Sequence, residues 1–197
     1  MRSFENFPAG KLLPPALIIL AVVAVFAPVL RSQFVLDDHF LIAISRLLAN
    51  PFALFVNNHF PGGLFYRPVE MTFWWLSVEV FGGAPKWHYL INLALHAGVS
   101  VILWHLLRTW TQARAAALLG ALAFAVHPIT IGTALWLSDR FDLLAALFGL
   151  LALDAAWRYR STLSRGALVA SFVCVALAAL SKETGFAAFA PLLLLWA

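Results

Sequence analysis

Two adjacent carboxylates, Asp37 and Asp38, stand in the stretch Phe34-Val35-Leu36-Asp37-Asp38-His39, a few residues after the first long apolar run ends. Neighbouring carboxylates raise one another's pKa. One of such a pair can take a proton from an attacking hydroxyl while the other holds a divalent cation through hard oxygen ligands. The same pair suits a plainer duty, because Asp38 could cap a helix that opens near Phe40. Tyr66-Arg67-Pro68 places a guanidinium where a planar fork can clamp a phosphate or reach toward lipid headgroups.

Three further groups carry polar chemistry. His88, Asn92 and His96 recur every four residues and share one helix face, where Asn92 and His96 suit hydrogen bonding between helices and His88 lies nearest the carboxylate side. His127-Pro128 closes an apolar run. Asp139, Arg140 and Asp142 open the next, with Asp139 and Asp142 three apart and hence neighbours on a helix. Ser181-Lys182-Glu183 follows a fifth run, and its two charges can pair locally. Ionisable residues at the ends of apolar runs are costly unless used, so their gathering on one side would point to a site.

The elements that must position these groups follow from composition. Apolar residue types make up 63% and charged ones 11%, with mean hydropathy +0.90, a balance that excludes an ordinary soluble domain and reads as a polytopic, all-α membrane protein. The 17 Phe and 8 Trp suit lipid contact and interfacial anchoring. The net charge of +4 comes without the basic cluster that nucleic-acid binding requires. Cys174 is the single cysteine, which removes an intrachain disulfide and a cysteine zinc cluster.

Hydropathy predicts about six transmembrane helices: Leu12 to Leu30, Trp87 to Leu107, Ala115 to Ile131, Leu143 to Trp157, Ala167 to Leu180, and a sixth from Phe186. Pro14 and Pro15 fit the first turn of the first of them. Residues 1–11 read as a cytoplasmic N-terminus and residues 12–197 as the membrane domain. A long outer loop, 31–86, is broken at Asn57-Asn58 and Pro61-Gly62-Gly63. It holds a short amphipathic helix from Phe40 to Leu48 and an apolar one from Pro68 to Phe81, both lying in the interface. With residues 68–81 kept out of the bilayer, Arg2, Lys11, Arg108, Arg114, Arg158, Arg160 and Arg165 all fall on the cytoplasmic side, as the positive-inside rule asks. A crossing there would send the two arginine-rich turns outside. The run Pro191 to Ala197 ends without a polar stop, which suggests a fragment.

In order, Phe34-Val-Leu-Asp37-Asp38, Tyr66-Arg67-Pro68-Val69, Gly82-Gly83-Ala84-Pro85 with His88, Asn92 and His96, His127-Pro128-Ile129, Trp136, Arg140, Asp142-Leu-Leu-Ala145 and Ser181-Lys182-Glu183 resemble the GT-C superfamily of membrane glycosyltransferases. The likeness is nearest to the tetratricopeptide-repeat O-mannosyltransferases and their bacterial relatives. It implies an inverting transfer of sugar from a polyprenyl-phosphate donor to a hydroxyl of a protein or glycan acceptor at the outer or lumenal face. It further implies Asp37 or Asp38 as base or metal ligand, with Mg or Mn as the cation, and Arg67, His127, Arg140 and Lys182 around the phosphate or sugar. His88, Asp139, Asp142 and Glu183 join them from the same outer loops. Relatives often carry an acid about four residues after His127-Pro128, where this chain has Gly132; Asp139 is the nearest acid that could stand in. A bacterial inner membrane is favoured over the endoplasmic reticulum. Two other readings stay open: a transporter or lipid flippase, which would need ionisable residues deep in the spans, and a noncatalytic membrane fragment.

Overall fold

The computed structural model of the chain describes residues 8–57, 65–189, 192 and 193, and every regular element among them is helical. Arg2, Asn58, the Pro61-Gly62-Gly63 break and the stretch from residue 194 lie outside the described residues.

Helix α1 (Pro8–Phe26) starts earlier than expected, so Pro14 and Pro15 lie inside it and not in its first turn. A single turn, Ala27–Arg31, continues it. Ile18, Val22 and Phe26 are buried every fourth residue while Leu12, Leu20 and Val23 remain exposed, the one-sided stripe of a helix packed along one face only. That face meets α4 (Pro85–Thr111) and α5 (Arg114–Val126). Ala117, Ala121 and Ala125 line the buried side of α5, where small side chains let helices approach closely.

The first loop carries α2 (Asp37–Leu47) and α3 (Pro68–Phe81), close to the two expected segments. Helix α3 is more deeply packed than an interfacial helix would be, with Glu70, Met71, Trp74, Ser77 and Val78 buried on one stripe. Gly82 ends it at φ 61°, a left-handed position that glycine adopts without a Cβ penalty.

His127-Pro128 stops α5 at Val126, five residues before the expected end at Ile131, because proline cannot continue the hydrogen-bond ladder. A short α6 (Ile131–Leu135) and a turn at Leu137–Asp139 lead into α7 (Arg140–Thr162), which packs along α8 (Arg165–Ser181). Residues Glu183–Ala188 then form a turn against α7 and α8 in place of the start of a sixth long helix.

Two stretches, Leu12–Arg31 and Pro85–Thr111, are long and apolar enough to cross a membrane. Arg114–Val126 and Arg165–Ser181 are apolar but shorter, and α7 has 23 residues but carries Asp142, Asp154, Arg158 and Arg160. Length and composition alone therefore give two spans among the described residues, fewer than the six expected. The polar segments nonetheless share one end of the bundle. Tyr89 at the start of α4 donates to Gln33 O at 2.9 Å, and contacts described below join the first loop to the loop before α7 and to the turn after α8.

Candidate active site

Asp38 is completely buried. Its Oδ2 accepts from Val35 N at 3.0 Å, while Oδ1 accepts from Ser138 N at 3.0 Å and from Ser138 Oγ at 2.7 Å. From the first turn of α2 this carboxylate holds the preceding chain at Val35 and ties the helix start to a residue a hundred positions away. Both of its oxygens are engaged by these donors. Asp37 is exposed at the first position of α2. Among the described residues no group of three or more His, Cys, Asp or Glu side chains is placed to hold a metal ion.

Arg67 and Glu183 meet as a fork. Arg67 Nε donates to both carboxylate oxygens at 3.1 Å and its terminal nitrogen to Oε2 at 2.6 Å, while the guanidinium rests on Phe65 and Phe141 at 4.4 and 4.7 Å. Burial works to raise the Glu183 pKa, but the Arg67 hydrogen bonds and charge override it and hold the carboxyl below its ordinary range. Lys182 turns the other way, its Nζ 2.5 Å from Asp142 Oδ2, with Thr184 Oγ1 3.4 Å from Oδ1. Lys182 and Glu183 thus pair with different helices and not with each other.

Arg140 and His88 are core residues here. Arg140 is fully buried; its Nε donates to Asn92 Oδ1 at 2.7 Å and its terminal nitrogens to Ser77 Oγ at 3.2 Å and His88 O at 3.1 Å, over the Trp74 ring at 4.2 Å. His88 Nε2 lies 2.9 Å from Gly82 O and the ring stacks on Trp74. Neither side chain reaches open space. His127 is exposed and its Nδ1 accepts from Ile129 N at 3.1 Å, capping the turn that follows.

Asp139 is different. It is half-buried, and among the described residues its carboxylate accepts no hydrogen bond. Burial, then Asp142 and Asp38, raise its pKa against the opposing pull of Lys182. A Cβ placed on Gly132 would stand 3.6 Å from Asp139 Oδ2, so this carboxylate occupies the space beside the glycine.

Of these groups Asp142 and Thr184 line a groove of about 570 Å³ between α4, α5, α7 and the turn after α8. Leu103, Phe124, Leu143, Leu150 and Leu153 give it apolar walls, and Thr130, Thr133, Asp142 and Thr184 supply its polar atoms. His96 borders it, with Nε2 2.9 Å from Ala125 O.

Aligned with curated proteins, the chain is 29% identical over 209 residues to protein O-mannosyl-transferase TMTC1 of Mus musculus, covering 92% of this chain and 21% of that protein. It is 29% identical over 218 residues to TMTC4 of Homo sapiens, covering 93% and 29%, and 27% identical over 169 residues to Tmtc1 of Drosophila melanogaster, covering 81% and 20%. The chain is similar to protein O-mannosyl-transferases. The resemblance expected from the ordered motifs therefore holds along most of the chain. The chain spans less than a third of the length of these O-mannosyl-transferase relatives. All are animal proteins, which gives no support to the expected bacterial inner membrane. No family profile and no solved structure matches the chain.

Glu70, Ser138 and Thr184 were not among the residues nominated from sequence. Ser138 and Thr184 carry no readable signal, since each acts through a partner distant in the chain. Glu70 does carry one: it lies on the apolar stripe of α3 with Met71, Trp74 and Val78.

Proposed function

We propose that the chain forms the membrane part of a GT-C-type inverting glycosyltransferase that transfers a sugar from a polyprenyl-phosphate donor to an acceptor hydroxyl at the outer or lumenal face. The observation that carries this reading is the apolar groove that ends at Asp142 and Thr184, with Lys182 on Asp142 and Asp139 beside them. Six crossings with the arginine-rich turns in the cytoplasm complete the reading, the shorter α5 and α8 spanning with their flanking turns.

In this mechanism the polyprenyl tail lies in the groove and the donor phosphate is held by Lys182 and Thr184. The acceptor oxygen attacks the anomeric carbon from the face opposite the phosphate, forming the new glycosidic bond. The bond from that carbon to the phosphate oxygen breaks, and its electron pair leaves with the polyprenyl phosphate, where the Lys182 charge stabilises it. Asp139 takes the acceptor's proton. A carboxylate with raised proton affinity and no hydrogen-bond donor on it among the described residues suits that step better than Asp38, whose oxygens are occupied. Asp37, the exposed member of the first-loop pair, is the competing base.

The test is a transfer assay on the full-length protein in lipid with a panel of polyprenyl-phosphate sugars. Asp139→Asn is expected to lower kcat by about a hundredfold or more, in the range for loss of a general base, and Asp37→Asn by much less. Ala146→Trp, which projects into the groove, is expected to raise KM for long-chain donors more than for short ones. Product unchanged by Asp139→Asn would overturn the base assignment. Donor lipid carried across the bilayer without covalent product would replace the transferase with a flippase.

A further inference from the structure

Glu70 is fully buried on the packed face of α3, and neither of its carboxylate oxygens has a hydrogen-bond partner. Trp74 Nε1, one turn along the same face, also lacks an acceptor within full hydrogen-bond geometry, yet it lies near enough to Glu70 to favour the charged carboxylate. A carboxylate in that position is costly unless it answers a neighbouring charge. Arg140 reaches the same face, its guanidinium 4.2 Å over the Trp74 ring and donating to Ser77 at 3.2 Å, one and two turns along α3 from Glu70, and Arg67 stands just before the helix. Arg67 is already neutralised by the fork to Glu183.

Arg140 has no such partner. Its hydrogen bonds run to the Asn92 carbonyl oxygen, the Ser77 hydroxyl and the His88 backbone carbonyl, all neutral. The other acid within electrostatic reach is Asp38, whose oxygens are taken by Val35 and Ser138. Neutral donors leave the Asp38 charge in place, so it shares in answering Arg140; Glu70 is the buried acid near Arg140 that has no hydrogen bond of its own. Arg140 opens α7, directly after Asp139 and two residues before Asp142, and it bonds to α3 and α4 at once.

We propose that Glu70 is a positioning residue: it balances the buried charge of Arg140 and, through Arg140, fixes the first turn of α7 and so the placement of Asp139 and Asp142 at the groove. The effect on rate rests on the transferase reading above; the pairing does not.

The experiment is a double-variant cycle on the full-length protein in detergent and lipid, comparing wild type, Glu70→Gln, Arg140→Met and the two together. Each single variant leaves one buried group unanswered, so each is expected to lower Tm by about 5 °C or more, and the double variant to lose clearly less than the sum. Additive losses would overturn the pairing. If Glu70→Gln does not fold, a folded double variant supports the pairing, and a double variant that fails while Arg140→Met folds overturns it. In the transfer assay Glu70→Gln is expected to lower kcat about tenfold while donor KM stays within about twofold, a split that general loosening of the groove would not give. A kcat equal to wild type would overturn the positioning role. Absence of product from wild type would remove the transferase reading and leave the Tm cycle to decide the pairing.

Discussion

Asp38 and Asp139 lie close enough to influence one another electrostatically, yet their surroundings give them opposite work. Asp38 is satisfied by three donors, and Asp139 by none among the described residues. The consequence for stability can be measured apart from catalysis. A carboxyl whose folded-state pKa is raised binds its proton more tightly when folded, so stability falls as pH rises from the ordinary aspartate range through the folded value. Asp139→Asn is therefore expected to raise Tm at about pH 7 relative to wild type, with the difference closing as pH falls below the ordinary aspartate range. Thermal unfolding across pH checks it, and a variant that is both steadier and slower would mark a carboxylate kept at a cost for its chemistry. The nature of these residues was legible in the sequence and their partners were not. Asp38, Arg67 and Lys182 have the right charge at the right end of the bundle. Which donor or acceptor each one meets depends on residues 100, 116 and 40 positions away.

At the scale of elements, the two glycines with the closest neighbours differ in what they tolerate. A Cβ at Gly185 would run into the backbone carbonyl of Ala178, holding the turn after α8 off that helix. Gly185→Ala is expected to cost about 1–3 kcal/mol and to disturb the Lys182 to Asp142 contact three residues away. A Cβ at Gly83 would meet only the far end of the Arg46 side chain, which can swing aside. Gly83→Ala is expected to stay within about 0.5 kcal/mol of wild type. Chemical denaturation of both variants separates the cases. Helix positions themselves were well read: residues 68–81 match α3, α7 contains its expected segment, and α2 covers all of its own but the last residue, Leu48. The misreadings have local causes. The apolar run past His127 hid the stop that Pro128 imposes on α5, and the apolar composition of α3 hid that its buried face carries Glu70 and Ser77.

Across the whole molecule, α4 to α5 and α7 to α8 are joined by turns of the same build. Gln112 at φ 58° and Leu163 at φ 54° end the first helix in the left-handed region, one residue follows, and Arg114 or Arg165 opens the next helix. Non-glycine residues are strained there, so Leu163→Gly is expected to raise stability by about 0.5–1 kcal/mol, read as a rise in Tm without loss of transfer. That the polar segments share one end of the bundle was legible by counting apolar runs and arginines. The depth of the packing beneath them was not.

The brevity of those two turns also bears on how the protein is made. In the proposed topology the basic residues that would orient α4 and α5 sit within the few positions from Arg108 to Arg114, and those for α7 and α8 between Arg158 and Arg165. One cluster of charge thus instructs two helices at once. During synthesis the members of each pair have no tether long enough to settle independently, so removing the arginines of one turn would misdirect a hairpin and not a single helix.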